Sequence, residues 1–222
     1  MIDVYVGSVA TENFFVHERL IPSRSLFFAK ALSTTPVTKW HEAEERKIEL
    51  RKDEPHVFSN YMQLLYRGTL PFKKPVNTSG SDPNTLADEI GNTVKAEYGM
   101  LSSLYIFVDK IQDASSKRLA LAAFMEAWAA VRADGRRQFP GLDSIRTTFE
   151  GTSDCDPLRE WLVDQYVRVG TADWVSGIEE KHRTRTFFFQ VYRQAMIQRP
   201  APGSGTLVAK EQNYYLDKIS ES

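Results

Sequence analysis

The sequence predicts an α+β fold, with short strands laid down first and helices after them. Three observations carry this. The first fifty residues hold three strand-like runs, at residues 2–6, 14–16 and 47–50. From Asp53 onward the apolar residues recur at helical spacing. Between the second and third runs, residues 14–28 crowd Leu20, Ile21, Leu26, Phe27 and Phe28 around a chain reversal, a density that belongs to a core hub.

Ile2, Val4 and Val6 alternate with Asp3 and Tyr5, the period of a half-buried strand. Gly7-Ser8 and Thr11-Glu12-Asn13 supply turn residues before Phe14, Phe15 and Val16, so the two strands should form a hairpin. The chain then turns over Pro22-Ser23, and Ser25 is placed to cap a short helix through Phe28 to Leu32. After the breakers Ser33 to Pro36 comes the charged stretch His41 to Lys47, then a third strand at Lys47-Ile48-Glu49-Leu50. Asp53 is the predicted cap of a helix with Pro55 in its first turn, and Gly68 is its stop.

Residues 71–96 are rich in Pro, Gly, Ser, Asn and Asp and read as a mobile insertion. A helix is predicted from about Glu97 to Ile111, and an Ala-rich one over 113–131. The short Gln112-Asp113 link makes these two an antiparallel pair. Asp134 to Gly141 breaks the pattern. Helices follow from Asp143 or Ser144 to Phe149, from Asp156-Pro157 to Val167, and from Phe187 to Ile197. The expected organisation is a domain over 1–132, a helical extension over 133–200 and a flexible tail over 201–222.

An apolar fraction of 42% is ample for a packed core, and a net charge of −1 gives no global field to draw in nucleic acid or an acidic membrane. The single cysteine, Cys155, forbids an internal disulfide and a cysteine-based structural zinc site. No apolar run reaches the roughly 20 residues needed to span a bilayer. The start Met1-Ile2-Asp3-Val4 lacks the character of a secretory signal. A soluble cytoplasmic or nuclear protein is the expectation.

The ordered set of Val4-Tyr5-Val6, Phe15-Val16-His17, Ser25-Leu26-Phe27-Phe28, Ile48-Glu49-Leu50, Asp53 to Phe58 and Leu65-Tyr66-Arg67-Gly68 resembles the BTB/POZ domain, in its fungal variant with a double Phe before the His. The resemblance covers residues 3 to about 130. It implies a small three-stranded sheet flanked by a helical cluster, and a protein-binding role without catalysis. His17, Ser25, Phe28, Tyr66 and Gly68 carry the structural signature, with His17 as a buried hydrogen-bonding residue. In ubiquitin-ligase adaptors of this family, a large apolar residue, any residue and then Glu precede the third strand and contact a cullin. Trp40 and Glu42 resemble that register. The plainer reading is that Trp40 packs back onto its own domain and Glu42 is solvated.

By the same resemblance Leu20 corresponds to an apolar residue of the dimer interface, though it also suits an ordinary core. The helix that commonly precedes the first strand and completes the dimer is absent from this sequence, so the expectation is a weak homodimer or a monomer. Repressor-type members pair an Asp at the first strand with a basic residue after the His. Here Asp3 is present but Glu18 follows His17, and two acids cannot make that pair.

No catalytic residue, cofactor or metal ligand is assigned. His41, His56 and His182 lack partners at ligand spacing, and neither a Gly-x-Ser-x-Gly elbow nor a phosphate-cradling loop occurs. Lys181, Arg183, Arg185, Arg193 and Arg199 flank Phe187-Phe188-Phe189 and Tyr192. That segment admits base stacking with phosphate contacts. It also suits a helix with a buried aromatic face and a solvated basic one.

Overall fold

The structure is a computed structural model of the chain, described over residues 1–8, 11–33, 45–70, 83–171, 174 and 184–199. The first strand, β1 (Ile2–Val6), is the middle of a three-stranded sheet. It runs antiparallel to β2 (Glu12–Val16), with Val4 opposite Phe14, and parallel to β3 (Lys47–Leu50), with Val4 opposite Ile48. The alternation read from the sequence has the physical meaning assigned to it. Ile2, Val4 and Val6 are buried, while Asp3 and Tyr5 are partly exposed.

The crossover from β2 to β3 begins with two short helices, α1 (Leu20–Arg24) and α2 (Leu26–Ala31). Pro22 therefore lies inside the first turn of a helix and not in a bare turn, a position that needs no amide hydrogen. Ser25 caps α2 as predicted, its hydroxyl accepting from the Phe28 amide at 3.3 Å.

Helix α3 (Pro55–Arg67) starts with Pro55 at its first turn. Its cap position is Glu54, which makes no side-chain cap bond, so Asp53 is not the cap the sequence indicated. The Asp53 carboxylate is instead held by Lys110 Nζ at 2.7 and 2.8 Å. Gly68 closes α3 with φ of 68°, the left-handed region in which a side chain would be strained.

Helix α4 (Pro83–Lys110) corrects the sequence reading of 71–96. Residues 83–96 are helical, while 71–82 lie outside the described residues. The polar composition of that stretch belongs to a solvent face. Leu86, Ile90 and Val94 recur every four residues and extend the buried stripe that Tyr98 and Leu101 continue. Helix α5 (Ala114–Ala129) turns back from it across Gln112, whose φ is 57°. The ring centroids of Tyr98 and Phe124, well before and well after that link, lie 5.1 Å apart, so the pair is antiparallel.

Among the described residues three further helices follow: α6 (Leu142–Gly151), α7 (Pro157–Val169), capped by Asp156, and α8 (Arg185–Gln198). The tail over 201–222 lies outside the described residues. One apolar core runs from Ile2 through Phe58, Leu104 and Phe124 to Leu158 and Phe187. Among the described residues the architecture is thus α+β, a three-stranded sheet with most of the other residues in helices.

Candidate functional site

The chain reversal after β2 is built from backbone groups that the helices leave unpaired. The first amides of α2 have no partner within their own helix. Leu26 N–H donates to the Gln112 carbonyl at 3.5 Å and Phe27 N–H to the Ile111 carbonyl at 3.3 Å. Ser25 Oγ, while accepting from Phe28, donates to the same Ile111 carbonyl. The open start of α2 is therefore docked on the open end of α4, and Ser25 joins the two. Ser25 and Phe28 are both buried.

A second polar joint lies beneath it. Asp113, fully buried, caps α5 by accepting from Ser116 N–H at 2.9 Å. It also accepts from Ser116 Oγ at 2.7 Å and Tyr61 Oη at 3.2 Å, with Arg24 Nε 3.7 Å away. Burial, and then the Asp113 charge, push the Tyr61 phenol far above its ordinary range. No signal short of the fold would have linked these residues, because Arg24, Tyr61 and Asp113 come from three separate elements.

His17 differs from its predicted setting. It is exposed at the end of β2, not buried, yet it does make the expected kind of hydrogen bond. Tyr66 Oη accepts from the His17 backbone N–H at 3.1 Å, and its own hydroxyl lies 2.7 Å from Nδ1. Tyr66, at the exposed end of α3, thus clamps the strand end from outside. Burial was misjudged because the helix presents Tyr66 outward while Leu64 and Leu65 face the core. Glu18 is ion-paired with Arg46, just before β3. Leu20 opens α1 half-buried and packed against the core. Trp40 and Glu42 lie outside the described residues.

The surface around these joints is apolar in places. Phe15, Leu26, Phe27 and Tyr66 are exposed. A groove of about 580 Å³ runs between the end of α3 and the α4–α5 pair, lined by Leu64, Leu70, Leu101 and Leu119 with Glu97 and Glu126. Glu97 is neutralised there by Arg132 at 2.8 Å. Among the described residues, no group of three or more His, Cys, Asp or Glu side chains could hold a metal ion. No helix among them is long and apolar enough to cross a membrane.

Compared with known proteins, the sequence matches no family model and none of the curated proteins.

Proposed function

We propose that the chain is a protein-interaction module of the BTB/POZ type, acting by contact and not by catalysis. The observation that carries this is the joint at the start of α2. A strand hairpin, a pair of short helices and a parallel third strand are locked by Ser25 onto the turn between two antiparallel helices. The order of pieces is the one the resemblance implies. The exposed apolar side chains Phe15, Leu26 and Phe27 give such a platform something to offer partners.

The leading role is adaptor for a cullin-type ubiquitin ligase, with Trp40 filling an apolar pocket and Glu42 making charged hydrogen bonds beside it. This part rests on the sequence register before β3. Purified full-length chain should capture a cullin amino-terminal domain, and Trp40→Ala should abolish the capture without changing the melting temperature. Equal capture by the variant removes Trp40 from the site. No capture by the parent chain removes the ligase role. What remains then is an oligomerising scaffold, a reading favoured by the exposure of Leu26 and Phe27. Sedimentation would decide that reading, through loss of self-association in Leu26→Ala.

A further inference from the structure

Helix α8 is half seated and half bare. Its inner face buries Phe187 completely and packs Phe188 and Val191 partly against the core. Gln194 Nε2 donates to Asp164 Oδ1 of α7 at 3.1 Å and fixes the helix on its neighbour. The outer face carries Phe189, Tyr192, Met196 and Ile197, exposed by 66%, 61%, 46% and 64%.

At 3.6 residues per turn, Phe189, Tyr192 and Met196 line one strip directly opposite Phe187. Arg193 falls on one side of the strip, Arg199 on the other, and Arg185 at its amino-terminal end. All three arginines are exposed. Residues 185–199 contain no Asp or Glu. The strip is on the order of a few hundred Å², comparable to the largest apolar patch of a typical monomer, which is often functional. Tyr, Phe, Met and Arg are also the residue types that interfaces favour.

We propose that this outer face binds an acidic amphipathic helix of a partner protein. Apolar residues of the partner, at spacings of three and four, would lie along Phe189, Tyr192 and Met196. Its Asp or Glu side chains would meet Arg185, Arg193 and Arg199. The arginine margin decides against a second copy of this chain, since two such faces would set arginine against arginine. It decides equally against a basic partner. Met196 and Ile197 have no ring to stack on a base, which separates the strip from a single-strand platform. The surface is distinct in sequence from Trp40 and Glu42, and the proposal does not depend on the cullin reading.

The test uses full-length chain and two fluorescent designed helices with identical leucine faces, one flanked by Glu and the other by Lys. Anisotropy should show binding of the Glu helix, weakened by salt, and little binding of the Lys helix. Tyr192→Ala should weaken the Glu helix about tenfold. Arg193→Glu combined with Arg199→Glu should reverse the preference toward the Lys helix. These positions are exposed, so circular dichroism should show the same fold. Equal binding of both helices, no binding of the Glu helix, or an unreversed preference in the double variant would each overturn the proposal. So would capture of phosphatidylserine vesicles or an oligothymidine strand in place of the Glu helix.

Discussion

Ser25 and Tyr66 make comparable numbers of hydrogen bonds but stand in different surroundings. The Ser25 hydroxyl is buried between an amide and a carbonyl of two helices, so removing it leaves the Phe28 amide without its cap and the Ile111 carbonyl with the Phe27 amide alone. The Tyr66 hydroxyl works at the surface, where water can replace it. Ser25→Ala should therefore cost about 1–3 kcal/mol of unfolding free energy, and Tyr66→Phe only about 0.5–1 kcal/mol. Urea denaturation of the two variants checks the order. An equal loss would mean that the Ser25 joint is not what holds α2 to α4. The cap at Ser25 was legible because N-capping is local and needs only the residue and the helix after it. The exposure of His17 was not, because it depends on how α3 is rotated, which neither residue encodes alone.

Elements were legible wherever a single periodicity ran undisturbed. The first and third strands alternate cleanly, the second was found by its aromatic and β-branched residues and starts two residues earlier than predicted, at Glu12, and Gly68 and Asp156 sit at helix ends where their chemistry predicts them. Helix α4 was half missed because Pro, Gly, Ser and Asn outvoted a sparse apolar stripe. Leu86, Ile90 and Val94 are too few to dominate a window, yet packing against the rest of the core rewards each of them. At Gly68 the energetics are backbone alone. A Cβ there would meet nothing within 4 Å, but φ stands at 68°. Gly68→Ala should accordingly destabilise the fold by about 1 kcal/mol through strain, with no change in packing. A thermal melt indistinguishable from the parent would contradict that account of the end of α3.

Across the whole molecule, polar joints bind residues 138–166 to the α4–α5 pair and to one another. Tyr105 Oη of α4 donates to Asp156 Oδ1 at 3.0 Å, and Lys117 Nζ of α5 reaches Asp156 Oδ2 at 2.7 Å and Asp109 at 2.6 Å. Tyr98 Oη donates to the Gln138 carbonyl at 3.0 Å and Tyr166 Oη to the Pro140 carbonyl at 2.8 Å. Burial raises the phenols of Tyr61, Tyr98, Tyr105 and Tyr166 well above the ordinary value of 10.0. Burial pulls the Lys117 ammonium down, but hydrogen bonds and charge from Asp109 and Asp156 outweigh it and leave it raised.

All five groups are thus raised on folding, so their contribution is complete below the unfolded value and is lost as pH rises through the folded one. Stability should begin to fall near pH 10, where unfolded tyrosine ionises, the slope approaching about 1.4 kcal/mol per pH unit above it for each of Tyr61, Tyr98, Tyr105 and Tyr166. Denaturation at several values from roughly pH 9 to 11 should show the decline, and Tyr61→Phe should make it shallower. A flat profile would mean that these phenols are not sealed.

The parallel pairing of β1 with β3 has a kinetic consequence. The hairpin and the α4–α5 turn form from neighbours in the chain, but Val4 meets Ile48 only after the entire crossover has closed behind it. Closing so long a loop is slow because its entropy is lost before any contact repays it. The third strand should therefore join the sheet after the hairpin, and the docking of Ser25 on Ile111, 86 residues further along, later still.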